Sequence, residues 1–458
     1  MIENDAFKLL LINLFHLNPD DIANILCTTF NKMMVLIVTL ADKHQACPYC
    51  GFTAPKIKEY VTKEITHSAL TTQKCIIKYR ARRYKCSCCG KTYYEFNPFV
   101  FKSQKISILT VHNILKDLKD FNETFTSVAR RYHVSPTSVS TIFDKHVDIG
   151  RNPLPEIINF DEVYAFKSEK SKYVCVLLDF KKQIPVDVLP NRKKEYLLNY
   201  FQKIPLEERK KVKYACSDMY EVYRDVVHKV FPSCCMLLDY FHLSQDFHRK
   251  MNEVRIKVMK GYKDNKASDE YYLLKKFNWL LFKNPEDEDK YGRLFDVERE
   301  RKYNSHFKSY MNYYDLRKKL LEINNDLTIC YSLKLELVDF YSKSTIDNAK
   351  VNLENLIRSC IDTNIDEMIA FSNNLINWKQ EIINSFTIVG TEYKVEADKG
   401  QVVVCNKKVN NAIIENRNKI IKCIKNNANG YTNWSRFRNR VMYVLDPNAT
   451  FSLEPREK

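Results

Sequence analysis

The clearest pattern along the chain begins after residue 150, where short apolar runs end in acids. Ile157-Ile-Asn-Phe-Asp161 predicts a strand, as do Tyr173–Asp179 and Ile184–Leu189. Glu195–Gln202 then shows helical spacing, Val212–Asp218 a fourth strand, Tyr220–Val230 a second helix and Cys234–Asp239 a fifth strand. Upstream, residues 1–45 are apolar and helical in pattern, a candidate packing or oligomerisation element. Residues 46–100 carry alternating runs such as Ile76–Tyr84 and predict a small sheet. Residues 101–150 are helical. Residues 245–395 are mostly helical, and a basic helical segment closes the chain. No stretch repeats another.

Composition narrows the picture. The chain has 458 residues, 45% hydrophobic and 28% charged, which is ordinary for a multidomain globular protein. Only 8 glycines are present, and no glycine-rich phosphate loop is found. The apolar runs Leu9–Phe15 and Met33–Leu40 fall far short of the roughly 20 residues that span a bilayer. Without a basic leader or cleavage site, the expected location is cytoplasmic. There, fifteen cysteines read as buried thiols plus a metal site rather than a disulfide framework.

The net charge of +17 favours a polyanionic partner, above all nucleic acid, over a merely solvated basic surface. It is concentrated. Residues 56–91 hold ten Lys or Arg against two acids, and residues 399–440 hold ten against one. Arg82 and Arg83 in the first block, and Arg436 and Arg438 in the second, are candidate DNA contacts.

Two Cys-x-x-Cys pairs, Cys47/Cys50 and Cys86/Cys89, are each followed by glycine. Such knuckles turn sharply enough for four thiolates to meet one tetrahedral, structural Zn²⁺. Free thiols or a redox pair are the plainer alternative. Cys88 competes for the second knuckle, and Cys75 reads as core. Further on, Thr124–Tyr132 and Thr137–Val147 flank His133-Val-Ser135. Ser135 is placed to cap the second helix, with Pro136 at its first position. This predicts a helix-turn-helix, or more plainly an αα-hairpin. In the former, Thr137, Ser138, Ser140 and Thr141 approach base edges in a major groove.

The strand order after residue 150 matches the RNase H-like fold, an antiparallel meander joined to parallel crossover units. If the first and fourth strands are parallel neighbours, Asp161 and Asp218 lie together at the carboxyl end of the sheet. Two carboxylates there make a hard oxygen site for Mg²⁺ or Mn²⁺, and a third allows two ions to assist phosphoryl displacement. Glu162 points to the opposite face by strand alternation. Asp179 and Asp239 also end strands. Asp239 with His242 reads as a helix cap, or as a further functional pair.

These features together resemble the insertion-sequence transposases of the ISL-three family, over nearly the whole chain. The resemblance rests on the cysteine finger, the helix-turn-helix, Phe160-Asp-Glu-Val, Asp187-Val-Leu-Pro, Ser217-Asp218 and Asp239-Tyr-Phe-His242. It extends to an ending that runs from Asn411-Ala-Ile-Ile-Glu415 through Asn418, Lys422 and Gly430-Tyr431 to Arg436-Phe-Arg438-Asn-Arg440. It implies a DNA transposase that binds double-stranded transposon ends and target, cutting and joining through Asp161, Asp218 and Glu415 with Mg²⁺ or Mn²⁺. It also implies a homo-oligomer that synapses two ends. On a helix Glu415, Asn418 and Lys422 share one face. The implied organisation is an N-terminal segment (1–45), a zinc finger (46–100), a helix-turn-helix (101–150) and a catalytic domain (151–244 and 396–445) with a helical insertion (245–395). A catalytically silent regulator derived from a transposase is one rival; the intact acids weigh against it. A structure-specific nuclease is another, with no need for sequence-reading modules.

Overall fold

The computed structural model describes residues 2–43, 46–53, 55–68, 72–102, 104–166, 171–395 and 402–456. The start of the last basic block, at 399–401, lies outside these residues.

The N-terminal segment corrects the helical expectation. Helix α1 (Ile2–Leu14) is followed by β1 (Ile22–Phe30) and β2 (Met33–Leu40), an antiparallel hairpin. Asn31 and Lys32 both take positive φ, 47° and 60°. Two such residues make the tight turn whose twist matches a hairpin. Alternation in β2 then decides the burial: Leu36, Val38 and Leu40 are buried while Ile37 is exposed. Nor is this segment separate from the cysteine-bearing strands. Strands β3 (Lys56–Thr66), β4 (Cys75–Lys85) and β5 (Thr92–Tyr94) continue the same sheet in the order β1-β2-β4-β3, with β5 pairing β4. β2 runs parallel to β4. Residues 1–45 and 46–100 share one core, in which Leu11 and Ile12 of α1 and Phe15 just after it meet Leu36, Ile77 and Phe99.

Next come α2 (Ile108–Asp117), α3 (Phe125–Arg131) and α4 (Pro136–His146). Thr124 caps α3 in a reciprocal capping box with Ser127, and Ser135 caps α4 by accepting from the Ser138 amide at 3.0 Å. His133 turns the chain between them with φ 54°. Ala129 is buried where α3 meets α4.

The central sheet comprises β6 (Ile157–Val163), β7 (Val174–Asp179) and β8 (Pro185–Leu189). Helices α5 (Lys194–Gln202) and α6 (Leu206–Arg209) lead to β9 (Tyr214–Ser217), and α7 (Glu221–Val230) to β10 (Cys235–Leu238). The order is β10-β9-β6-β7-β8. β6, β7 and β8 form an antiparallel meander, while β9 and β10 run parallel to β6. Both faces are covered, so the strands read as continuous apolar runs. α5 and α7 pack on Phe160, Cys175 and Leu177 of one face.

A long excursion then leaves β10: α8 (Tyr240–Lys260), α9 (Asp269–Lys276), two small hairpins β11 (Glu288–Asp289)/β12 (Gly292–Arg293) and β13 (Lys302–Asn304)/β14 (Ser309–Met311), and helices α10 (Tyr313–Glu322), α11 (Asn325–Lys343), α12 (Ala349–Asp362), α13 (Asp366–Asn377) and α14 (Lys379–Asn384). They enclose a core of their own, into which most of the aromatic side chains of this stretch are packed. A ribbon of β15 (Ile388–Val395) and β16 (Val402–Lys408) brings the chain back to α15 (Ala412–Asn427) and α16 (Trp434–Leu445). These two helices cover the second face of the central sheet, against Val163, Val176 and Val188. The whole is a mixed α/β architecture preceded by a small sheet and a three-helix unit. No helix among the described residues is long and apolar enough to cross a membrane.

Candidate functional site

Ladder register aligns three acids along one edge of the central sheet. Asn159 pairs with Cys216, so Asp161 stands level with Asp218 two residues on. Ser217 pairs with Leu238, so Asp218 stands level with Asp239. Parallel neighbours lie about 4.8 Å apart and paired side chains share a face. The three carboxyls therefore line the carboxyl ends of β6, β9 and β10. Asp179 does not belong with them. β7 is antiparallel, and Asp179 pairs with Ile158 at the opposite end of β6. There it holds a turn by accepting from the Lys181 and Lys182 amides at 2.9 and 3.0 Å.

Helix α15 lies across these ends and is docked by polar joints. The Asn418 amide donates to Asp161 Oδ2 at 2.7 Å. Asn411, fully buried at the start of α15, accepts from the Asn159 side chain at 2.6 Å, and its own side chain donates to the Phe160 carbonyl at 3.3 Å. Its backbone N–H donates to Asp239 Oδ1, also at 3.3 Å. This docking carries Glu415, one turn before Asn418, to the acidic edge. Lys422, one turn beyond, is exposed and does not reach in.

His242, in the first turn of α8, sits among all of these groups. Its Nε2 is 3.9 Å from Asp239 Oδ2 and 3.9 Å from Glu415 Oε1. Its charge would also bear on Asp161 and Asp218. Asp239 takes the cap position of α8 without a side-chain capping bond, so the cap account places it but does not use up its carboxylate.

Burial pushes the Asp161 carboxyl up to about 7; the Glu162 amide opposes this and the neighbouring Asp218 adds to it. Burial likewise raises Asp218, with Glu162 adding to it, and raises Asp239 against the pull of His242. Asp218 Oδ1, Asp239 Oδ2 and His242 Nε2 are all buried atoms with no hydrogen-bond partner. Buried polar atoms are rarely left so, and a cation is what this donor set lacks. Hard carboxylate oxygens suit Mg²⁺ or Mn²⁺. Glu162 is ion-paired to Arg192, yet it is the first charge acting on Asp218 and its Oε2 is likewise a buried atom with no partner, so alternation does not take it away from the acidic edge.

The four cysteines of the N-terminal sheet form a second metal-shaped cluster. Cys47, Cys50, Cys86 and Cys89 have their sulfurs within 4.8 Å of one another. Cys47 and Cys89 are 3.7 Å apart, Cys50 and Cys86 3.5 Å. A tetrahedral zinc with bonds of about 2.3 Å needs sulfurs roughly 3.8 Å apart. The knuckles are copies of one another. Gly51 and Gly90 take φ 75° and 71° and donate to the Cys47 and Cys86 carbonyls at 2.9 and 3.0 Å. Left-handed φ is why each knuckle carries glycine. The Cys89 amide, then that of Cys88, holds the Cys86 thiol down to about 7, while, against the Phe52 and Lys91 amides, burial and the neighbouring sulfurs push Cys50 up to about 12 and raise Cys89. Cys88 stands outside the cluster, and Cys75 is core.

The helix α4 presents Thr137 and Thr141 to solvent, with Ser138 and Ser140 half-buried beside them. Each of the four arginines expected at DNA also has a protein partner. Arg82 is tied to Glu95 at 2.8 Å and to the Leu40 and Ala41 carbonyls. Arg83 pairs with Glu59 at 2.6 Å. Arg436 pairs with Asp144 of α4 at 2.6 Å, and Arg438 with Asp187 of β8 at 2.6 Å. Charge counting could not tell a cation facing DNA from one fastening the protein. The Asn159–Asn411 joint was equally illegible, since each asparagine alone reads as a loop or cap residue.

The model of a family described as transposase, of the DDE, ISL-three type, matches residues 158–397. That span includes Asp161, Asp218, Asp239 and His242 and ends before Glu415. Over 409 residues the chain is 19% identical to the transposase for insertion sequence element IS1001 of Bordetella parapertussis, covering 89% of this chain and 90% of that protein.

Proposed function

Because the chain belongs to the ISL-three family of DDE transposases, we propose that it binds the ends of its own insertion sequence and catalyses metal-dependent DNA cleavage and strand transfer. The observation that supports this best is the acidic edge itself. Asp161 and Asp218 stand level at the ends of β6 and β9, and α15, docked on Asp161 through Asn418, carries Glu415 to within 3.9 Å of His242 beside them. In this reading the central sheet is an RNase H-like catalytic core with residues 245–395 as its insertion. A bound pair of Mg²⁺ or Mn²⁺ ions supplies an activated nucleophile and stabilises the leaving oxygen of an in-line phosphoryl displacement.

The chain's own residues supply position. Asp161 and Asp218 are fixed by adjacent strands, and the Asn418 amide holds one Asp161 oxygen so that the carboxylate cannot rotate. Glu415 closes the site from α15. At the N-terminal sheet the four cysteines hold one structural Zn²⁺, which stiffens the basic strands β3 and β4. Lys74, Lys102 and Lys105 are exposed beside that sheet and line one groove with Lys63. They join Arg82, Arg83, Arg436 and Arg438 as candidate phosphate contacts, while the exposed face of α4 reads base edges. Synapsis of two ends would engage more than one copy of the chain. The test is to incubate the purified protein with the repeats flanking its gene and Mg²⁺ and to map the broken strands. Nicks at the repeat boundary, dependent on metal, are expected. Cuts independent of the repeats would favour a structure-specific nuclease instead.

A further inference from the structure

Asp239 and His242 have no task in the three-carboxylate account, yet they sit at its centre. The pair is built into the fold. Asp239 is 3% exposed and is fixed by the Asn411 backbone, which takes up Oδ1 and leaves Oδ2 free. His242 follows one turn later on α8, and its buried Nε2 is also without a partner. The spacing from Nε2 to Asp239 Oδ2 and to Glu415 Oε1 is 3.9 Å in both cases. That is too long for a hydrogen bond, which lies near 2.8 Å. It lies between the roughly 3.0 Å of adjacent donors and the roughly 4.2 Å of opposite donors around an ion about 2.1 Å from each, so a small closing of the side chains would seat one. Asp239, His242 and Glu415 each offer one donor atom, and all three lie within 4.8 Å of one another.

We propose that Asp239 and His242 join Glu415 as ligands of one divalent cation, so that this half of the site binds its metal through mixed imidazole and carboxylate donors. The proposal rests on the reading of the acidic edge as a metal site. It divides that edge in two. Asp161 and Asp218 form an all-oxygen half, while the α8–α15 half includes a nitrogen. Imidazole suits the transition ions, with affinity rising along the series that begins at Mn²⁺, whereas Mg²⁺ keeps to oxygen. The α8–α15 half should therefore prefer Mn²⁺.

The test is Mn²⁺ binding to the full zinc-loaded chain, followed by electron paramagnetic resonance, with pulsed detection of nitrogen-14 coupled to the bound ion. Wild-type protein is expected to show that coupling. His242→Gln should lose it and bind Mn²⁺ at least about tenfold more weakly, since even indirect partners of a ligand are worth that much. Asp239→Asn keeps the acceptor for the Asn411 amide and should weaken Mn²⁺ while retaining the coupling. Zinc content and the unfolding transition of each variant report whether it is folded. Bound Mn²⁺ without nitrogen coupling in the wild type, or unchanged affinity in both variants, would overturn the proposal. If repeat ends are then still cut, the transposase reading stands without it. Nitrogen coupling in a protein that cuts no repeat end would uphold the metal site and sink that reading.

Discussion

The Asp161 carboxyl shows most directly how the site depends on its ion. Burial lifts it from the ordinary value near 4 to about 7. A carboxyl raised in the folded state keeps its proton where the unfolded chain has lost it. Its contribution to stability is therefore lost as pH rises from about 4 through 7. A cation reverses the balance, because it favours the ionised form but must displace the proton at low pH. Thermal unfolding with and without Mn²⁺ should show a small stabilisation at pH 5.5 and a growing one through pH 8. In Asp161→Asn the pH-dependent part should shrink; a metal effect equally large at both pH values would argue against Asp161 as a ligand. The cysteine cluster makes a parallel prediction. Metal analysis of the wild type should find about one zinc per chain, and Cys47→Ser with Cys50→Ser should release it. Full zinc retention in that double variant would refute the assignment.

Among the elements, α16 does the most joining. Arg440 is 1% exposed and donates to the Asp120 and Glu123 carbonyls at 2.8 and 2.7 Å, between α2 and α3. Tyr443 donates to the Leu115 carbonyl at 3.0 Å, and Arg436 and Arg438 reach α4 and β8. One helix thus fastens the three-helix unit to the central sheet. Arg440→Met leaves two part-buried acceptors unpaired and should cost about 2 kcal/mol. Urea unfolding would measure it, and hydrogen exchange should rise first in α2 and α3. No change in either would mean that the joint is not what holds these units. Such joints were hidden in the sequence, whereas several elements were not. The strands β6 to β10 were legible because buried strands between two helical layers read as continuous apolar runs broken by turn residues. The capping of α3 and α4 was legible in Thr124, Ser135 and Pro136. The hairpin β1–β2 was not, because a short apolar run such as Met33–Leu40 fits a buried helix as well as a strand. Its Asn31-Lys32 turn lacks the glycine that marks most hairpins. Asp161 and Asp218 could be placed from strand ends alone. Asp239 could be marked in the same way, with His242 as a candidate partner, but its level with Asp218 depends on β10 pairing parallel to β9.

At the scale of the molecule, the lysine-lined groove and the acidic edge are built from different elements. Lys74, Lys102 and Lys105 lie beside the N-terminal sheet, whereas the acidic edge lies between the central sheet, α8 and α15. Binding and chemistry should therefore separate. Changing Lys74 and Lys105 to Glu should weaken DNA binding and flatten its dependence on salt, because fewer counterions are released. The steepness of a gel-shift titration across salt concentrations reports this, and an unchanged slope would place the phosphate contacts elsewhere. The most direct trial of the central claim, that the acids at this sheet edge cut DNA, is Asp218→Asn beside the wild type on one labelled repeat end with Mg²⁺, read both for retardation and for cleavage. Asparagine keeps the size and removes the charge that holds metal. Cleavage is expected to disappear while binding stays intact or tightens slightly, since a repelling carboxylate near the phosphates is gone. Cleavage by Asp218→Asn at close to the wild-type rate would put the active site elsewhere in the chain.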